Sequence, residues 1–530
     1  MKLTYLLGSA VCALSLNLAT AHAETLTYAY QGDVQGLDPQ ALNETFTLGF
    51  LGNIYEGLTA YDGDMALRPA LATAWETTSP TTWQITLRED VSFHNGNAFT
   101  ADDVIFSWQR ALTEGSDQKG RARLIENIEK ISDHEIVITT AGPVPTLMQD
   151  LVFFYILDKE WAEANGATEA TSVADTNSAN YANLNTNGTG PFALVERQSG
   201  VRTVLERFEG YWNDIPGNVT EAVLTPIQED PTRVAALLSG KVQLAYPIPL
   251  QDWDRLKQTD DVRVMVTPEA RTVYLGMDQM RATLERSDVT DANPFKDIRV
   301  RQAFAHAINI PAIVDRIMRG SASPAGLMVA PQVTGFDPAL NDPYAYDPDK
   351  ARDLLAEAGY PDGFEIQMDC PNDRYVNDEM ICQAVVGMLA RIGVTVDLLA
   401  QTKSKYFAKI LAAGGYDTSF YLLAWTPSSM DSYEVLNLLM SCRNQEGTTG
   451  PFNLGGYCNP EVDALTKQIA VEVDPAERQA LISRAFEIAK EDYGYIPLHQ
   501  QPISWGLANG VDAVQRADNV LDLRTVTIAQ

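Results

Sequence analysis

Mixed α/β packing in two or three domains is what this sequence predicts, on three observations. The chain has 530 residues, 45% of them hydrophobic. Short segments of alternating polarity are interspersed with helical stripes along its whole length, and it contains no internal repeat. A chain this long exceeds what one core holds, at about 100 to 200 residues per domain. The apolar content excludes general disorder, and the interspersion excludes an all-β sandwich and a helical solenoid.

The elements follow in order. Residues 26–30 alternate with the period of two of a half-buried strand, and the same signal predicts strands over 83–87, 135–139, 201–205, 262–266, 365–368 and 394–398. Helices are announced by an Asx cap followed by proline at Asp230-Pro231, Asp347-Pro348, Asn459-Pro460 and Asp474-Pro475. There the cap accepts backbone N–H bonds and proline starts the first turn. Val234, Leu237 and Leu238 form one apolar stripe before Gly240, and Ala351, Leu354, Leu355 and Ala358 another before Gly359. Each glycine suits a left-handed C-cap. Thr100 with Asp103 reads as a capping box opening a helix through Trp108 and Leu112. Residues 165–190, rich in Ala, Asn, Thr and Ser, predict a surface loop or domain crossover.

Charge and the N-terminus bound the function. With 39 Lys+Arg against 70 Asp+Glu the formal net charge is −31, so nucleic acid is not expected as a partner and anionic membrane surfaces repel the chain. Lys2, the apolar run over 3–18 and Ala21-His22-Ala23 have the form of a cleavable signal peptide over 1–23. A membrane anchor would need about 20 apolar residues, and no later segment is long and apolar enough to span. The expectation is an exported, soluble protein. Cys12 leaves with the signal, and the remaining four cysteines form two close pairs, Cys370 with Cys382 and Cys442 with Cys458. Of three possible pairings the nearest-neighbour one is our expectation, in an oxidising compartment. A four-Cys metal site lacks C-x-x-C spacing.

The residues give no positive case for catalysis. The four histidines of the mature chain, His94, His134, His306 and His499, have no partner at metal-ligand spacing, and His134-Glu135 has no second histidine to complete a zinc-protease motif. No P-loop or nucleophile-elbow pattern occurs. Ser116-Asp117-Gln118-Lys119 matches S-x-x-K, but no K-T-G or S-D-N accompanies it, and between Gly115 and Gly120 it reads as a polar turn. No metal and no cofactor are expected.

Longer motifs then appear in a fixed order: N-I-Y-E-G-L from Asn53, L-R-P-A-L-A-T-A-W-E over 67–76, and W-Q-I-T-L-R-E-D-V-S-F-H-N-G-N-A-F-T-A-D-D-V-I-F-S over 83–107. They continue with G-T-G-P-F over 188–192, G-Y-W over 210–212, D-I-R-V-R-Q-A-F-A-H-A-I over 297–308, L-L-A-E-A-G-Y-P-D-G-F over 354–364 and I-P-L-H over 496–499. With these motifs the mature chain resembles the bacterial extracellular solute-binding proteins of family 5, the peptide-binding components of ABC importers. The resemblance implies a periplasmic binding protein type II-like α/β fold: two lobes joined by a hinge, plus an extra α/β domain. Domain I would be discontinuous, 24–57 with 188–272 and 497–530; domain II would take 58–187 and domain III 273–496. A small solute, a peptide by this resemblance, would sit between I and III, and hinge strands would pass near Arg271, Tyr274, Tyr495 and Leu498. The implied role is a periplasmic, monomeric receptor that hands its solute to an inner-membrane ABC permease and makes or breaks no bond. Most matching residues are scaffold on this reading: His94-Asn95-Gly96 is a turn, and Trp108 and Phe304 lie on core stripes.

In dipeptide-binding relatives the ligand ammonium meets an aspartate in a loop after a tryptophan, and the carboxylate meets an arginine beyond the first strand of domain III. Here the loop reads Trp425-Thr426-Pro427-Ser428-Ser429-Met430-Asp431-Ser432-Tyr433. Ser428 stands where that aspartate falls, with Asp431 three residues on. The arginine is carried over to Arg374, whose planar guanidinium suits a carboxylate; a surface salt bridge is its alternative. Trp425 offers a face to a sugar, an aromatic ring or a side chain, with a packed core tryptophan as the alternative. Tyr433, Tyr246, Arg271 and Tyr274 are candidates by chain position, as are Asn43 and Glu44 in the loop after Leu37-Asp38-Pro39.

Two rivals remain at this stage. Within the family, the solute could be an oligosaccharide, an opine-like conjugate or a metal chelate, with nickel and haem disfavoured by the few histidines. From another class, an exported hydrolase acting on peptides or cell-wall fragments would need a nucleophile or a metal, and Ser116 is the one candidate.

Overall fold

The computed structural model describes residues 24–171, 180–411, 414–444 and 448–529. Residues 1–23, the segment expected to be a signal peptide, lie outside these residues, as does the middle of the 165–190 segment.

An eleven-stranded mixed sheet organises the molecule. Its path runs Thr395–Gln401, Glu365–Pro371, Phe420–Trp425, Val262–Met277, Tyr495–Ala508, Leu244–Tyr246, Glu24–Tyr30, Val219–Pro226, Arg202–Arg207 and Phe192–Gln198, with Ser323–Pro324 added against Tyr495–Ala508. Two long antiparallel strands, Val262–Met277 and Tyr495–Ala508, sit at its centre. The alternation of 262–266 foretold only the first third of one of them. Beyond it the strand is buried on both faces, so its residues read as an apolar run without period. The same cause hid Phe420–Trp425, whose first five residues are all buried.

The long strands are not one continuous ladder. Their pairing runs from Val262 opposite Ala508 to Pro268 opposite Pro502, breaks, and resumes with Thr272 opposite Gln500. Proline on both strands removes ladder donors at that point, and the extra residues of Glu269, Ala270 and Arg271 form a bulge that bends the strand. Ala270 N–H is pinned instead to the Ala517 carbonyl at 2.9 Å.

A separate four-stranded antiparallel sheet, Ala72–Ser79, Thr82–Leu87, Glu135–Thr140 and Ile125–Ser132, packs under the helix Ala101–Ala111. Ile85, Phe93, Phe99, Val104, Ile136 and Ile138 fill its core. The capping box is formed, Thr100 N–H donating to the Asp103 carboxylate at 2.8 Å. Asp347, Asn459 and Asp474 cap their helices as the sequence predicts, each accepting a backbone N–H at 2.9 Å. Asp230 is a correction: it is the first helical residue, Glu229 takes the cap position without a side-chain bond, and Asp230 pairs with the buried Arg233. Gly240 and Gly359 do adopt the left-handed conformation, φ 71° and 96°.

Three of the sequence motifs meet at one carboxylate. Glu56, in the N-I-Y-E-G-L segment, accepts from Thr189 at 3.0 Å, from Tyr211 at 2.9 Å and from Trp212 at 2.9 Å. Burial pushes its carboxyl above the usual range, and these donors with Arg524 oppose that rise. Gly188 lets the chain come this close, since a Cβ there would lie 2.0 Å from the Ile54 carbonyl oxygen. His94-Asn95-Gly96 is likewise scaffold: Asn95, Asn97 and Asn187 all donate to the buried Asp158 at 2.9, 2.8 and 2.8 Å. Phe304 is fully buried, and the half-buried Trp108 donates to the Ala122 carbonyl. Disulfides join Cys370 to Cys382 and Cys442 to Cys458, the nearest-neighbour pairing.

Candidate functional site

The bulge in the central strand opens onto a cavity. It holds about 650 Å³ with its mouth included, and it is built from five parts of the chain on one side and one residue from the other. The strand Glu24–Tyr30 supplies Tyr28 and Tyr30, the start of the short helix Thr45–Leu51 supplies Glu44 and Phe46, the bulge supplies Glu269 and Arg271, and the C-terminal segment supplies Asp518 and Asn519. Tyr246 completes this wall, and Arg374 faces it from the loop after Glu365–Pro371. Four of the ten residues expected at the ligand, Glu44, Tyr246, Arg271 and Arg374, are thus brought to one cavity.

The walls are aromatic. Phe46 stacks on Tyr30 with ring centroids 3.6 Å apart, and Tyr246 tilts against Tyr30 at 4.9 Å. Such a surface tolerates apolar and planar groups alike. Burial first, then the charges of Glu44 and Glu269, pushes the Tyr30 hydroxyl up, while Arg374 pulls it down. Tyr30 therefore lies within the fields of all three.

Most charges in the cavity are already answered. Arg271 donates to both oxygens of Glu269 at 3.1 and 3.0 Å, and Gln501 adds a bond to Glu269 at 2.8 Å. Asp518 accepts from Arg516 and from Val520 N–H at 3.1 Å. Arg374 is different: its guanidinium makes no ion pair among the described residues and leans only toward the Tyr375 ring, 5.1 Å from the centroid. The loop that carries it is firmly held. The disulfide from Cys370 to Cys382 spans it, and the Asp378 carboxylate accepts the N–H groups of Arg374 and Tyr375, each at 2.9 Å. The surface salt bridge that was the alternative for Arg374 is not formed among the described residues.

The tryptophan loop has another organisation. Glu434 reaches back to accept from Trp425 Nε1 at 3.3 Å, from Ser428 N–H at 3.0 Å and hydroxyl at 2.9 Å, and from Ser429 N–H and hydroxyl, both at 3.0 Å. Trp425 is half-buried against Phe452. Asp431 is 1% exposed, caps Tyr433 N–H at 2.8 Å and pairs with Arg478, so its carboxylate is committed inside the protein. Tyr433 is half-buried, its hydroxyl pushed up by burial and by the charge of Asp150. The loop touches the short strand Thr59–Tyr61, the Tyr61 hydroxyl donating to the Ser429 carbonyl at 3.0 Å. Asn43, beside the cavity, accepts from Arg121 at 3.1 Å.

Tyr274 is a correction. It is fully buried in the core, edge-on to Tyr495, because it lies past the bulge where both faces of the strand are covered. Tyr30, Phe46, Glu269 and Asp518 were missed by sequence reasoning. Two of them look like ordinary strand and helix residues, and Glu269 had a signal only in its nearness to Arg271. Ser116 is no nucleophile in waiting: its hydroxyl donates to the Gln40 carbonyl and accepts Gln118 N–H, while Lys119 turns to the Glu114 carbonyl. His94, His134 and His306 each bond a backbone carbonyl. Among the described residues no cluster of three or more His, Cys, Asp or Glu is arranged for a metal ion, and no helix is long and apolar enough to cross a membrane.

Comparison with known proteins places this architecture. The family model for the bacterial extracellular solute-binding proteins, family 5 Middle, matches residues 66–447. The glutathione-binding protein GsiB of Shigella dysenteriae is 28% identical over 492 residues, 92% of this chain and 91% of that protein. The fold is that of the periplasmic binding protein DppA from Helicobacter pylori in complex with the peptide STSA, at TM-score 0.75 and 23% identity over 96% of this chain and 98% of that one. It is also that of the substrate-binding protein CtaP from Listeria monocytogenes, at TM-score 0.82 and 21% identity over 96% and 100%. The motifs that converge on Glu56, the paired long strands and the family match over most of the length agree: the chain belongs to the bacterial extracellular solute-binding proteins of family 5, a receptor family and not a family of enzymes.

Proposed function

We propose that this receptor binds a peptide or peptide-like solute in the cavity beside the bulge and hands it to the inner-membrane permease of an ABC importer, as a monomer in the periplasm after loss of residues 1–23. In this reading domain I is 24–57 with 188–272 and 497–530, domain II is 58–187 and domain III is 273–496. The hinge is the break in register between the two long strands, where few ladder bonds resist bending. Closure of I on III would shield the solute from water.

The observation that carries the reading is the guanidinium of Arg374, without an ion pair among the described residues, facing an aromatic cavity from the opposite side of the bulge. A planar guanidinium takes a carboxylate through two parallel hydrogen bonds, and stacked aromatic walls take side chains of varied shape. Relatives named for glutathione and for a bound peptide support a peptide-like solute.

The test is thermal melting of the mature protein against di- to pentapeptides, glutathione, free amino acids, oligosaccharides, opines and metal chelates. A ligand at 100 times its Kd stabilises by about 2.7 kcal/mol. Stabilisation by peptides or glutathione supports the proposal. Silence from both, with a shift from a sugar, an opine or a chelate, overturns its peptide part.

A further inference from the structure

Which groups read the two ends of the solute follows from counting the charges in the cavity that the protein itself leaves unanswered. Three carboxylates line it. Glu269 is neutralised by Arg271 and Asp518 by Arg516. Glu44 has no cationic partner among the described residues; its two oxygens accept only the N–H groups of Phe46 and Thr47, at 3.0 and 2.8 Å, which fix its orientation and leave its charge in place. Of the two guanidiniums, Arg271 is spent on Glu269, and Arg374 has no ion pair among the described residues. Glu44 and Arg374 do not pair with each other among the described residues, and Tyr30 stands within the fields of both.

We infer, building on the peptide reading above, that Glu44 and Arg374 form a zwitterion clamp, Glu44 receiving the α-ammonium of the solute and Arg374 its carboxylate, from opposite sides of the cavity. The other carboxylates nearby do not compete for the ammonium. Asp431 is held by Arg478, and Glu434, which accepts from Trp425, Ser428 and Ser429, does not line the cavity. Asp150 does not line the cavity. Recognition of the amino end thus moves from the loop carrying Ser428 to the helix start at Glu44.

The experiment measures, by calorimetry, the affinity of one bound peptide in three forms, free, N-acetylated and C-amidated, for the wild type, Glu44→Gln and Arg374→Gln. Glutamine keeps an oxygen to cap the helix, so Glu44→Gln retains the fold, which its ligand-free melting temperature verifies. Acetylation is expected to cost the wild type about ten- to a hundredfold, the range of a charge-assisted contact, and Glu44→Gln no further loss; amidation and Arg374→Gln are expected to show the same relation. A structural role for Glu44 would weaken all three forms alike and so overturn the inference. An acetylated peptide that binds the wild type as well as the free one does, or an acetylation penalty that persists in Glu44→Gln, also overturns it and leaves the peptide reading intact. If no form binds, the peptide reading itself has failed and the clamp falls with it.

Discussion

Arg478 closes both terminal nitrogens on Asp431, Nη1 to Oδ2 and Nη2 to Oδ1, each at 2.8 Å, with the two side chains 9% and 1% exposed. The pair ties the start of the short helix Ser432–Val435 to the long helix Pro475–Glu491. A carboxylate so occupied is a strut, and it leaves the cleft to other charges.

Breaking that strut is expected to cost stability and spare recognition. Arg478→Ala strands a buried carboxylate, a change of about 3–5 kcal/mol, to be read as a lowered midpoint in urea unfolding. Ligand affinity of the folded fraction should stay within a few-fold of wild type. A large loss of affinity with unchanged stability would return Asp431 to the binding site.

The contrast between Asp431 and Arg374 marks how much the sequence could disclose. Motifs and capping signals revealed the family, the helices that open on those caps and the scaffold roles of His94 and Phe304, because those depend on residues a few positions apart. The site depends on contacts across the chain. Nothing in the loop 425–433 announces that Asp431 faces a residue 47 positions on, or that Glu434 fills the space beside Ser428. Strands buried on both faces lose their period of two, so the bulge at Glu269 and the core position of Tyr274 were invisible together.

Glu56 provides a second strut whose loss has a sharper signature. Glu56→Ala leaves the Tyr211 hydroxyl, the Trp212 indole N–H and the Thr189 hydroxyl without their acceptor, at about 1–3 kcal/mol for each buried donor left unpaired. Glu56→Gln keeps acceptor capacity for part of this set and should lose less. Equal losses in the two variants, measured by urea unfolding, would show that charge rather than hydrogen bonding holds the junction.

The disulfide from Cys370 to Cys382 encloses the loop that presents Arg374, so its loss is expected to act on binding as well as folding. Closing a loop of this size is worth about 3 kcal/mol in the chain-entropy model. The paired Cys370→Ser and Cys382→Ser variant should be less stable and also bind the solute more weakly, through a faster off-rate. The corresponding variant at Cys442 and Cys458 should lose stability without that change in off-rate, since none of the described residues of its loop lines the cavity.

Two groups, the half-buried Asp150 and the fully buried His499, bend the pH dependence of stability in opposite directions. Burial, aided by the charges of Glu434 and Asp431 and opposed by Thr146 and Arg121, pushes the Asp150 carboxyl up to about 7. Between the ordinary carboxylate range and pH 7 the folded protein keeps a proton that the unfolded chain has lost, so this contribution falls as pH rises. His499, fully buried with neither ring nitrogen hydrogen-bonded, is lowered to about 4 by burial. Between pH 4 and the ordinary imidazole range near 6.5 the unfolded chain binds a proton that the folded protein refuses, so its contribution rises with pH. The two slopes oppose each other over this window. Asp150→Asn should therefore steepen the gain of stability from pH 4 to pH 6.5, and His499→Gln should expose a decline, both read from urea midpoints across the range. Parallel profiles for the two variants would mean that the two groups do not shift in opposite senses on folding.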